Sequence, residues 1–312
     1  MKVIFFAIVK LLIIIFLGFY LYRRKIFSED ALKFLTFFVV NLSVPFLIFT
    51  KIISTFDPNK SPHLLFFLFL SFFIFGVGLV SAAIFLPTIT KTFRREFLAL
   101  VSFQNCGYLP MNLAIFLLPS HFRDTFLVYI FLYILGFNIL MWSIGSFFIF
   151  KKRKDKFQFT SLLTMPIVSI IVSLIFVYSG LNKFIPSLLI SPLKMIGDTS
   201  FPLSMIILGA WLGKVRDSLS YIDLAKASFA KLIIVPAVLF FLLIRVKVPP
   251  LLGLFIILEA SMPSAASLPI IVELRGGDSK FVSGGVFFSH LLSIITVSLW
   301  FYLFSRFTGI KL

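Results

Sequence analysis

Charge is scarce in this chain, acidic residues most of all, and cysteine is nearly absent. Only 13% of the 312 residues are charged, and 12 acidic residues stand against 29 basic ones. A soluble domain carries roughly a quarter charged residues. The one cysteine, Cys106, excludes an internal disulfide. Without a His-Glu-x-x-His pattern it also leaves no zinc-ligand set. No glycine-rich phosphate loop runs into Lys-Ser/Thr, so nothing in the chain would hold ATP. An enzyme reading has no catalytic constellation to stand on, not even the two intramembrane aspartates of an aspartyl protease, and neither cofactor nor metal is expected.

What the chain has instead is apolar length. It is 60% hydrophobic, with a mean hydropathy of +1.10. A helix needs about 20 apolar residues to cross a bilayer, and ten segments qualify, near 3–22, 31–50, 63–86, 97–119, 125–149, 160–179, 186–213, 222–244, 250–271 and 281–304. Uninterrupted runs such as Leu11–Phe16 and Leu64–Phe75 argue against the alternating strands of a barrel. The expected class is an all-α integral membrane protein of ten transmembrane helices, with almost no residues left for a soluble domain. The first segment is expected to be retained, because it is long, lacks a small-x-small cleavage site and is followed by Arg23-Arg24-Lys25.

The net charge of +17 is placed by topology, and no nucleic-acid partner is expected. Loops after odd-numbered segments, with the segment ends adjoining them, hold 17 of the 29 Lys/Arg, the other side counted the same way holds ten, and Lys10 and Lys231 fall deeper inside segments. The positive-inside rule then puts those loops in the cytoplasm and both termini outside. The run Lys151–Lys156 is the strongest determinant and suits anionic headgroups of the bilayer. It divides the chain into a first five-helix unit, 1–150, a basic linker, 151–159, and a second unit, 160–312. Two units of five must enter the membrane from opposite sides, so a repeat between them would be inverted.

Short matches support such a repeat. Asn41-Leu-Ser43-Val-Pro45 parallels Asp198-Thr-Ser200-Phe-Pro202 at an offset of 157. In the fourth segment, Phe103–Asn112 reads Phe-Gln-Asn-Cys-Gly-Tyr-Leu-Pro-Met-Asn; in the ninth, Glu259–Pro269 reads Glu-Ala-Ser-Met-Pro-Ser-Ala-Ala-Ser-Leu-Pro. Gly107 and Pro110 weaken a helix, glycine through backbone entropy and proline by deleting an amide donor. Lipid-exposed backbone cannot stay unpaired, so a broken, polar stretch must face a cavity or protein. Paired interruptions in two halves point to a binding site.

Half-helix N-termini carry about half a positive charge and bind carboxylates without an arginine. Asn105 is the preferred side-chain contact, since an amide both donates and accepts. Gln104, Pro110, Asn112, Pro263, Ser264 and Ser267 complete the candidate site, with Ser261 beside them. The competing reading is a pair of kinked helices whose polar groups satisfy each other. Glu259, an acid inside the span, either carries a proton or pairs with a lysine. Asp198 either caps a half-helix or binds an ion. Lys231 either snorkels to the cytoplasmic face or stands near an anionic substrate. His290 is titratable at mid-span, or simply packed. These four are the candidates for coupling to H+ or Na+.

Asn105-Cys106-Gly107-Tyr108 is similar to an Asn-Thr-Gly-Tyr/Phe stretch, and Met262-Pro263-Ser264-Ala265 to Met-Pro-x-Ala. Ser200-Phe201-Pro202-Leu203 with Leu208-Gly209-Ala210 and Leu212 is similar to Pro-Leu…Leu-Gly-x-x-Leu. Lys231 with Pro236, and Asn138, Trp142 and Gly145, sit at matching places. By these motifs the chain resembles the auxin efflux carrier family, which includes plant PIN-FORMED carriers and bacterial malonate or malate permeases. Two departures touch the polar lining: Pro110 comes two residues early with Asn112 in the usual proline's place, and Ser267 replaces a common Asn. The resemblance implies inverted five-helix repeats with crossed, broken fourth and ninth helices and elevator-like alternating access. It further implies small organic anions bound near the crossover prolines, and a homodimer in the cytoplasmic (inner) membrane. Two other readings are a sodium-coupled symporter like the bile-acid family and a non-transporting membrane sensor or scaffold.

Overall fold

Inside a bilayer no water competes for peptide groups, so apolar runs of this length satisfy their backbone by coiling. A computed structural model describes residues 2–58, 64–141, 149, 163–214, 220–246, 248–274 and 276–309, and among them every regular element is helical. In chain order these are α1 (Lys2–Arg23), α2 (Glu29–Thr55), α3 (Leu64–Phe85), α4 (Arg94–Ser102), α5 (Tyr108–Leu117), α6 (Ser120–Ile139) and α7 (Met165–Tyr178). They continue with α8 (Ser187–Asp198), α9 (Ser200–Lys214), α10 (Tyr221–Arg245), α11 (Pro250–Ser261), α12 (Leu268–Leu274) and α13 (Ser279–Thr308). The linker 151–159 with its basic run, Trp142 and Gly145 lie outside the described residues.

Five of these helices, in α2, α3, α6, α10 and α13, are long and apolar enough to cross a membrane by length and composition. Shorter apolar helices lie at Ile13–Arg23, Met165–Tyr178 and Pro250–Ser261. The fourth and ninth expected spans are each split in two, as α4/α5 and α11/α12. The seventh is split at Thr199 between α8 and α9.

Proline shapes two of the long helices. In α2 a π turn, Val39–Ser43, precedes Pro45, and in α10 a π turn, Ala230–Ile234, precedes Pro236. Proline lacks an N–H and its ring crowds the carbonyl four residues back, and a wider turn relieves that clash. For Pro236 the orphaned carbonyl is that of Leu232, and the Trp300 indole N–H donates to it at 2.9 Å.

Packing sorts the helices into two groups. On one side α1 packs along α9, and α2 along α7 and α8. On the other, α3 packs with α4 and α6, while α13 packs with α10, α11 and α12 and also meets α4. The closest approaches fall inside each group. A Cβ on Gly209 would stand 1.8 Å from Ile15 O, and one on Gly18 would stand 2.0 Å from Ile206 O. In the second group a Cβ on Gly78 would come within 2.8 Å of Ser102 Cα. Small residues let membrane helices pack backbone to backbone, where dispersion does the work that hydrophobic burial does in water.

The α1–α9 contact therefore predicts that Gly209→Val, which must displace backbone, destabilises the protein by about 3 kcal/mol or more. Gly76, whose added Cβ would meet nothing within 4 Å, serves as the control. Thermal unfolding in detergent should show a marked fall for Gly209→Val and none for Gly76→Ala.

Candidate functional site

Helix α4 stops at Ser102 because Phe103 turns extended, with φ −97° and ψ 111°. Helix α11 stops at Ser261, with Met262 extended at φ −65° and ψ 144°. The two breaks then pair with each other. Asn105 N donates to Pro263 O at 2.8 Å, and Ala265 N donates to Phe103 O at 2.9 Å, forming an antiparallel bridge between Gln104 and Ser264. Peptide groups that neither helix satisfies are thus satisfied across the crossing. Pro110 does not itself break the helix: α5 already starts at Tyr108, and a proline in the first turn deletes an N–H that has no partner within the helix.

Side chains brace this crossing. Ser264 Oγ donates to Leu100 O at 2.7 Å, and Ser264 N donates to Ser289 Oγ at 3.2 Å. Asn105 Oδ1 accepts from Leu109 N at 3.4 Å, at the start of α5. His290 Nδ1 donates to Val286 O at 2.8 Å, which leaves Nε2 to accept from Asn105 Nδ2 at 3.2 Å. His290 thus stands behind Asn105 and holds it. Gln104 Nε2 donates to the Tyr133 hydroxyl. Asn112 Nδ2 donates to Ser204 Oγ at 3.1 Å and ties α5 to α9.

A cavity of about 300 Å³ opens beside the crossing. Gln104, Asn105, Cys106 and Gly107 form its floor with Ala265, Ala266 and Ser267. Phe131, Ile134 and Phe137 of α6 and Ser204, Leu208 and Trp211 of α9 also line it. Of the residues singled out by sequence, Gln104, Asn105 and Ser267 line it. Pro110, Asn112, Pro263 and Ser264 lie in or beside the breaks without lining it. Tyr133, Ser204 and Trp211 carried no sequence signal, since their relevance comes from helices distant along the chain.

The four coupling candidates separate. Asp198 is exposed at the end of α8, away from the cavity lining. There the matched serines meet instead: Ser43 Oγ lies 2.7 Å from Ser200 Oγ and donates to Ile196 O at 2.9 Å. Lys231 does not snorkel; it lies in the π turn of α10 and is 1% exposed. Glu259 is wholly buried one turn before the α11 break.

The model of a family described as membrane transport protein matches residues 3–163 and 155–301. The chain belongs to that family, the one its motifs resemble. It is therefore a multi-pass membrane protein of a transport family, not an enzyme. It is also similar to an uncharacterized transporter of Methanocaldococcus jannaschii, at 27% identity over 153 residues. That match covers 48% of this chain and 50% of the archaeal protein.

Cavity residues Thr36, Met141, Thr164 and Trp211 lie near the helix ends that adjoin, in sequence, the segments carrying Arg23–Lys25, Lys151–Lys156 and Arg216. Cys106, the chain's one thiol, lines the same cavity. A membrane-impermeant methanethiosulfonate should therefore modify Cys106 from the basic-loop side and not from the other, as read by mass shift in oriented vesicles. Labelling from the opposite side alone would contradict this geometry.

Proposed function

We propose that this protein is a secondary carrier that moves small carboxylates across the cytoplasmic membrane by alternating access. The observation that carries the reading is the cavity at the paired helix breaks, with Asn105 beside the N-terminus of α5. Free amides and the helix dipole there favour an anion. One Asn105 amide hydrogen is held by His290, and the second is left to donate to a carboxylate.

Among the described residues the cavity lining holds no charged side chain. Phe131, Ile134, Phe137, Met111 and Met141 instead give it apolar walls. One anionic group can be met by amides and dipoles, but a second would enter this site unpaired at a large desolvation cost. A monocarboxylate with an apolar body fits such a lining better than a dicarboxylate.

The cavity draws its walls from both helix groups, and the backbone-to-backbone glycine contacts lie within each group. Two stiff bodies with the substrate between them suit an elevator-like cycle in which the crossing moves with α3, α6 and α13. The touching pair Ser43 and Ser200, at equivalent places in the two matched motifs, supports inverted five-helix repeats about a local two-fold axis. Such repeats make ten spans with both termini on one side of the membrane, and the excess of Lys and Arg in the odd-numbered loops favours the outside for them.

Purified protein in liposomes should show saturable carboxylate flux, faster for apolar monocarboxylates than for malonate or malate. Asn105→Ala should cut that flux roughly 10–100-fold, the size expected for losing one hydrogen bond to a charged group. Unchanged flux in a monodisperse Asn105→Ala protein would remove Asn105 from the site.

A further inference from the structure

The two helix groups meet beyond the cavity as well, and there a charge pair ties them. Lys51 Nζ of α2 donates to Asp124 Oδ1 of α6 at 2.6 Å, with side-chain exposures of 18% and 46%. Each partner is fixed to its own group. Around Lys51, Asn182 Nδ2 donates to Ile53 O at 3.1 Å, and Phe49 and Phe56 meet Phe176 and Tyr178 of α7 edge to face. Asp124 stands near the start of α6, which packs along α3; Phe67 and Tyr129 pack there with ring centroids 5.1 Å apart. Further along the same contact, a Cβ on Gly136 would stand 3.1 Å from Leu68 Cα. Arg123, beside Asp124 in the chain, is engaged elsewhere and donates to Leu118 O at 3.0 Å. Any relative movement of the groups at this end must therefore part Lys51 from Asp124.

The pair lies on the far side of the cavity from the basic loops. Val44 of α2 and Phe131 of α6 line the cavity, and Lys51 and Asp124 lie two turns beyond them, about 10 Å along each helix. The turns between carry Leu47 and Ile48 on α2 and Leu127 and Val128 on α6, all buried. Thr36 and Met141, toward the opposite ends of the same two helices, line the cavity on the basic-loop side. One end of the α2–α6 contact is thus open to the cavity, and the other is closed by an apolar layer under an ion pair. An ion pair with this much exposure biases an equilibrium about 5-fold or less. That is too little to lock a protein in one state and enough to set its resting state. A contact that breaks once in every transport cycle has to be of that size.

We propose that Lys51 and Asp124 form a latch that closes the side opposite the basic loops while the cavity opens toward them. The latch rests on the alternating-access reading, whereas the pair itself does not.

The test follows a membrane-impermeant methanethiosulfonate reaching Cys106 from the side opposite the basic loops, in oriented vesicles without organic substrate. After long exposure, Asp124→Asn and Lys51→Met should each raise the labelled fraction about 2–5-fold over wild type. The double variant should label no more than either single one, since one change already breaks the pair. Lys51→Arg keeps the charge and should label as wild type does. Melting of the same proteins in detergent separates a latch from a merely structural tie. A lowered melting temperature with labelling unchanged overturns the proposal, and so does labelling that adds up in the double variant. If one single variant fails to fold, the other decides. If both fail, the pair is a structural requirement and the latch is refuted. Carboxylate flux of the wild type is measured in parallel. Flux in the wild type with unchanged labelling in the variants refutes the latch and leaves the carrier reading intact. Raised labelling without any flux counts against the carrier reading and leaves the control of access to Cys106 standing.

Discussion

Two backbone hydrogen bonds, Asn105 to Pro263 and Ala265 to Phe103, make the rest of this structure possible. A helix cannot simply stop in hydrocarbon, because every unpaired peptide group there costs several kcal/mol. One broken helix would be a defect. Two broken helices crossing at their breaks satisfy each other, and the extended backbone between them is held in protein. That mutual satisfaction places polar atoms at the core of an apolar fold.

From this crossing the site and its support follow in layers. Asn105 faces the cavity and is fixed by Leu109 N on one side and His290 on the other. His290 is fixed in turn by the Val286 carbonyl. Ser264 does not line the cavity; its hydrogen bonds brace the break against α4 and α13. The polar residues of the two breaks therefore divide between those that face the cavity and those that hold the crossing. A helix break is costly unless such bracing exists, which accounts for the buried polar groups around the crossing that do not line the cavity.

Charge is treated with the same economy. The cavity wall is uncharged among the described residues, and the buried acid sits behind it with a buried lysine in reach. Neither Lys231 nor Glu259 lines the cavity, and the polar side chains on its wall are mainly amides and hydroxyls.

The apolar runs, the broken fourth and ninth spans, and the polar stretches Phe103–Asn112 and Glu259–Pro269 were legible in the sequence, because each is a local property of length, glycine, proline and amide content. The serine match at 157 residues was legible too, and the two hydroxyls touch. Lys231 was not: in sequence it is a lysine within an apolar span, and only the packing of its π turn against α4, α11 and α13 shows it buried. Tyr133, Ser204 and Trp211 were equally silent, since they join the site from α6 and α9 only once the helix groups pack. The sequence by itself determined that the backbone must break at two depths and that amides and an acid lie at those breaks. The tertiary structure decided which side chains face the cavity and which face the acid, because that depends on the angle of the crossing and on close glycine contacts between helices far apart in the chain.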